Sequence, residues 1–141
     1  MSITQNRKFQ DFTRGTYTAL SADGGTGGAI PLIFQITTTA NATNSQTITL
    51  DRAFSVVDAW AVLVGGAGTT SDTYQLFNDT TAISDAVSIA SAGDTDIVRI
   101  GEINDASYQL SAGGTLKVTV TDGGGTDVPS LLVYVLGYAN A

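Results

Sequence analysis

The run from Phe54 to Val64, Phe-Ser-Val-Val-Asp-Ala-Trp-Ala-Val-Leu-Val, constrains this chain more than any other stretch, and it carries the single tryptophan. It is rich in β-branched residues and apolar at both alternating sets of positions, so it reads as a strand covered on both faces at the centre of a layered β-structure. Regular alternation places Phe54, Val56, Trp60, Val62 and Val64 on one side and Val57, Ala59, Ala61 and Leu63 on the other. We expect the large set to face a sandwich core and the small set to admit a close neighbour. Asp58 falls on the Trp60 side and needs either a wet margin or a cationic partner, for which Arg52 and Arg99 are the candidates. With no second catalytic group beside it, the expected role of this carboxylate is structural.

The other segments follow the same logic. Residues 29–38 alternate cleanly through Ile30, Leu32, Phe34 and Ile36, with Pro31 near the start, where a missing backbone donor does least harm. Residues 39–45 read as a polar turn and 46–50 as a short strand with Ile48 and Leu50 inward. Asp51 and Arg52 then turn the chain into the central strand. After a glycine loop at 65–71, a strand is expected over 73–78. Ile83 and Val87 lie four apart, favouring a helical turn within 82–89. Residues 96–100 read as a strand, and Ile103, Ala106, Ser107 and Leu110 have the spacing of one helical turn. Residues 115–121 alternate without fault, with Leu116, Val118 and Val120 inward and Thr115, Lys117, Thr119 and Thr121 outward. The last strand, 129–138, is apolar on both faces. Seven or eight strands separated by glycine-rich turns favour an all-β, antiparallel β-sandwich, with a jelly roll as the preferred version.

A length of 141 residues suits one domain. The absence of cysteine and histidine removes disulfides, thiolate metal sites and the commonest general base. No stretch approaches the length of a membrane span, and residues 1–14 are polar with no apolar core, so neither a membrane association nor a signal peptide is expected. Charge is sparse and uneven. Arg7, Lys8 and Arg14 face only Asp11 in the first fourteen positions, a net of +2 that leaves −9 of the total −7 on the remainder. An acidic body of that kind repels nucleic acid. Residues 1–28, with isolated aromatics Phe9, Phe12 and Tyr17 and the run Asp23-Gly-Gly-Thr-Gly-Gly28, read as an extended N-terminal arm and hinge. Residues 29–141 form the sandwich domain.

No motif in this chain carries catalysis. The glycine runs are not followed by Gly-Lys-Ser/Thr and open no helix, so they read as turns rather than phosphate loops. The acidic pairs Asp94/Asp96 and Asp122/Asp127 offer too few oxygens for a calcium loop. Glu102, the single glutamate, stands beside a turn with no aromatic-lined groove around it. No cofactor, metal or catalytic residue is expected. Tyr134 and Tyr138 share a strand face with Leu132 and Leu136, which suits sheet packing first and subunit contact second.

At Val56-Val-Asp-Ala-Trp-Ala-Val-Leu63, Ala82-Ile-Ser-Asp-Ala-Val87, Ile103-Asn-Asp-Ala106, Ala112-Gly-Gly-Thr-Leu-Lys-Val-Thr119 and Val133-Tyr-Val-Leu136, the chain resembles small capsid decoration, or cement, proteins of tailed bacteriophages. The likeness spans about residues 46–138. It implies a jelly-roll sandwich that forms a homotrimer on the outside of an icosahedral head, made in the host cytoplasm, where it binds the major capsid protein and stabilises contacts between its subunits. It implies no catalytic residue. In that setting Arg7, Lys8 and Arg14 are expected to meet acidic groups of the capsid or a neighbouring subunit, while Phe9 and Phe12 fill apolar niches. The alternative is a carbohydrate- or host-recognition sandwich, a lectin-like or head-fibre domain binding through exposed aromatics.

Overall fold

The computed structural model describes residues 30–69, 71–124 and 128–139. Ten strands occur in chain order: β1 (Ile30–Thr37), β2 (Asn44–Thr49), β3 (Phe54–Val64), β4 (Thr73–Asn78), β5 (Thr81–Ala82), β6 (Val87–Ser88), β7 (Ile97–Arg99), β8 (Gln109–Leu110), β9 (Thr115–Thr121) and β10 (Ser130–Ala139). They form two antiparallel sheets, the first ordered β1-β10-β3-β7 with β8 also on β3, the second β2-β9-β4-β5 with β6 also on β4. β5 and β6 lie end to end along β4, and β7 and β8 along β3, so each sheet has four strand positions. The chain crosses from one sheet to the other at nearly every long strand, and β10 returns to lie between β1 and β3. This is the strand order of a jelly roll, as the pattern of the sequence led us to expect.

The faces of β3 depart from regular alternation. Phe54 and Val56 are buried, and so are Ala59, Ala61 and Leu63, whereas Val57 stands exposed and Trp60 and Val62 are half-buried. The cause is a bulge. Leu136 pairs with Asp58 but Gly137 pairs with Val56, so Val57 has no partner on β10 and two successive side chains, Val57 and Asp58, point outward. Beyond the bulge the phase is reversed, since a slip of one residue exchanges the faces of a strand. The expectation that Trp60, Val62 and Val64 face the core is therefore wrong, and Ala59, Ala61 and Leu63 of the small set line it instead.

The small residues have a use there. Tyr74 of β4, fully buried, crosses the sandwich and donates a hydrogen bond from its hydroxyl to the Val98 carbonyl of β7 at 2.7 Å. Ala59 and Ala61 leave room for a ring that spans both layers. Burial first, and the negative charge of Asp58 second, push the Tyr74 phenol far above its ordinary pKa, so it stays protonated as a donor. At the other end of the core Phe34 and Phe54 meet edge to face, with centroids 5.0 Å apart.

No helix forms in either segment, although Ser107 N–H donates to the Asn104 carbonyl at 3.1 Å in a single hydrogen-bonded turn. Among the described residues of 82–89 the chain pairs with β4 at both ends, and in between Ser84, buried, replaces the missing strand partner: Leu76 N–H donates to its hydroxyl oxygen at 3.1 Å. Ile103 forms an isolated bridge to Ser84, and Asn104 N–H donates to the Ile83 carbonyl at 2.8 Å, which draws that segment out as a strap instead of a helix. Backbone pairing with a neighbouring edge offers these short segments more hydrogen bonds than one unsupported helical turn.

Candidate functional site

The two outer faces of the sandwich differ in chemistry. On the second sheet, Ser45, Thr47 and Thr49 of β2 oppose Thr119, Lys117 and Thr115 of β9. Ser45 and Thr119 hydrogen-bond through their hydroxyls at 2.8 Å, and the Lys117 ammonium lies over the Phe77 ring at 4.8 Å. Such a face is comfortable in water.

The outer face of the first sheet is apolar. Because β3 is out of phase beyond its bulge, the large side chains that the sequence suggested for the core stand here, beside the outward set of β10. One row across β1, β10, β3 and β7 runs Gln35, Tyr134, Trp60, Arg99, and the next runs Thr37, Leu132, Val62, Ile97. Trp60 and Tyr134 stack with centroids 5.7 Å apart and planes 20° from parallel. Ile33 (57% exposed), Val57 (50%), Val64 (43%), Ile97 (69%) and Tyr138 (45%) are the large hydrophobic residues left exposed among those described, and all five lie on this face. Trp60, Ile97 and Arg99 line a hollow of about 280 Å³.

Asp58 and Arg99 are the charged pair of the face. The Arg99 guanidinium donates to Oδ2 of Asp58 from both Nε, at 3.1 Å, and Nη2, with a longer Nε contact to Oδ1 at 3.5 Å, and Ala59 N–H donates to Oδ1 at 2.8 Å. The hydrogen bond from Arg99 holds the Asp58 carboxyl below its ordinary pKa, opposed by partial burial and assisted by Ala59 N–H. Of the two candidate partners named from sequence, Arg99 is the one used. Arg52 lies beside Asp51, Nε to Oδ1 at 3.6 Å.

The acidic residues elsewhere shape turns. Asp94 accepts from Gly65 N–H at 2.9 Å, Asp96 from Gly93 N–H at 2.7 Å, and Asp122 from Gly124 N–H at 2.8 Å. Asp127 lies outside the described residues. Glu102 borders a polar hollow of about 400 Å³ with Asp85, Asp105, Ser84, Gln75 and Asn104. Among the described residues no group of three or more metal-ligating side chains comes together. Nor is any helix there long and apolar enough to cross a membrane.

Arg7, Lys8, Phe9, Phe12 and Arg14, the partner-binding residues expected from sequence, all lie outside the described residues. The face of the first sheet is what sequence reasoning missed as a site, although the shared side of Leu132, Tyr134, Leu136 and Tyr138 pointed to half of it. No protein-family model matches the chain, and no curated protein does. Among solved structures it is similar to a chain in the structure of infectious bursal disease virus, Gx strain, at 13% identity and a TM-score of 0.28. The match covers 79% of this chain, which spans 37% of the length of that one.

Proposed function

We propose that this protein is a structural, non-catalytic component of a phage head, a decoration protein that binds the outer surface and stabilises contacts between major capsid subunits as a homotrimer. The observation that carries this reading is the contrast between a hydroxyl-rich outer face on one sheet and an apolar outer face, centred on stacked Trp60 and Tyr134, on the other. Apolar surface of that kind is left exposed when another protein is meant to cover it. The jelly roll and the resemblance to cement proteins point the same way. In this reading the arm makes the capsid contact, with Phe9 and Phe12 as anchors and Arg7, Lys8 and Arg14 orienting them. Many copies on one shell then add avidity without a deep pocket.

One observation favours a second reading, a carbohydrate- or host-recognition module. The hollow beside Trp60 sets an aromatic wall next to the donors of Arg99, a combination that can stack on and anchor a sugar ring.

Co-sedimentation with empty shells tests the first reading. The full chain should pellet with them, and deletion of residues 1–22 should leave a cooperatively melting sandwich that binds at least about tenfold more weakly, a loss of about 1.4 kcal/mol. Undiminished binding by the truncated chain would remove the arm from the interface. Absence of shell binding together with a glycan-array signal abolished by Trp60→Ala would replace the first reading with the second.

A further inference from the structure

We infer that the apolar outer face of the β1-β10-β3-β7 sheet is the contact between copies of this chain, and that the copies are assembled with these sheets turned toward one another. The inference deepens the homotrimer of the proposed function by naming the surface that makes it, and it concerns the isolated protein without a shell.

Charge decides the occupant. Asp58 is the one acid in a strand among the described residues, and it is joined to Arg99 on the same face. Every other described acid stands in a turn or loop. The face is therefore neutral on a chain whose net charge is −7. A basic partner would be drawn to the acidic loops and gain nothing from this sheet. A second copy is repelled by those loops and can approach most closely where the net charge is zero, with the loops held apart at the rim. A neutral apolar centre with a charged rim is the usual anatomy of such a contact.

The dimensions agree. β1, β10 and β3, eight, ten and eleven residues long at about 3.3 Å per residue and about 4.8 Å apart, with only the short β7 and β8 beside β3, give a patch on the order of 500 Å². Covering it on every copy of a closed trimer buries on the order of 1,500 Å² in total, shared among three contacts. The face also has relief. The hollow at Trp60, Ile97 and Arg99 can receive a side chain, while Ile33 and Tyr138 project from the opposite half. Complementary halves on one face suit a closed ring, in which each copy sets one half against the other half of the next.

Sedimentation velocity on the full chain over a concentration series tests this, with Trp60 emission as a second readout because the chain has one tryptophan and it lies on this face. The unmodified protein should associate, with a blue shift as concentration rises. Ile97→Lys and Ile33→Lys, at positions 69% and 57% exposed in the single chain, should each melt as the parent does yet raise the dissociation constant at least about tenfold. Thr47→Lys, on the outer face of the other sheet, should leave it unchanged. A parent that stays monomeric throughout, or Ile97→Lys and Ile33→Lys proteins that associate like the parent, would overturn the inference. Loss of shell binding in those two variants with self-association intact would also overturn it, by assigning the face to the shell. Self-association that depends on the face, with no shell binding by any form, would sustain the inference while removing the proposed function.

Discussion

Asp72 shows what a single side chain does here. It is fully buried in the loop before β4, and its carboxylate accepts from Thr69 N–H at 2.7 Å, the Thr69 hydroxyl at 2.8 Å and Gly123 N–H at 3.0 Å. One charge thus ties the loop that enters β4 to the loop that leaves β9. Burial pushes its carboxyl up, but the hydrogen bonds from Gly123 and Thr69 together outweigh burial and leave the pKa below its ordinary value. Asp58 is lowered as well, through Arg99. For groups whose pKa is depressed on folding, the stabilisation is present above the unfolded value, 3.8 for both, and is lost as pH falls through the folded values. Unfolding by urea should accordingly show a flat midpoint from pH 7 to about 5 and a decline below about 4. Asp72→Asn, which replaces an all-acceptor group with one that turns a donor toward donors, should cost about 1–3 kcal/mol at neutral pH. It should also flatten the acid decline, and an unaltered pH profile in that variant would exclude Asp72 as its source.

At the scale of the strand, the bulge at Val57 decides which chemistry faces where. It needs Gly137 opposite. A Cβ on Gly137 would overlap the Ser55 carbonyl oxygen and the Phe54 ring, so β10 can approach the bulged β3 closely only without a side chain at that position. Gly137→Ala should destabilise the fold by about 1–3 kcal/mol, read from the urea midpoint at constant slope. A neutral substitution would mean that the two strands separate there at no cost. β9 and β10 are legible in the sequence because each keeps a single phase over its whole length, and so Tyr134 and Tyr138 fall on one side with Leu132 and Leu136, although that side faces outward and not into the sheet packing expected first. β5, β6 and β8 are two residues long and carry no period. Their positions depend on backbone groups of β4 and β3 that are distant in the chain, and on the Ser84 hydroxyl, which looks like any other serine in a polar loop.

For the whole molecule, the governing contrast is an acidic set of loops around a neutral sheet. Repulsion between copies should weaken as carboxylates protonate toward the isoelectric point near 4.1. The dissociation constant for self-association should fall at least about threefold between pH 7 and about 4.5, as the net charge shrinks toward the isoelectric point while Asp58 and Asp72, held below their ordinary values, stay ionised. Added salt at pH 7 should act in the same direction through screening. Association insensitive to both would show that loop charge does not oppose assembly.

The sequence by itself determined the β class, the two central strands, the turns between them and the one-sided solvation of β9, because these follow from local periodicity and from where glycine and polar residues fall. It also narrowed the partner of Asp58 to Arg52 or Arg99, because the chain has so few cations, and the structure selects Arg99. Only the tertiary structure decided the sense of β3. One extra residue in a strand that is apolar on both sides leaves the composition of each set unchanged while exchanging their positions, and nothing local distinguishes the two phases. What selects between them is the partner layer: Tyr74 needs the room that Ala59 and Ala61 leave, and Gly137 permits the bulge. Trp60 is thereby turned out of the core and onto the apolar outer face of the first sheet.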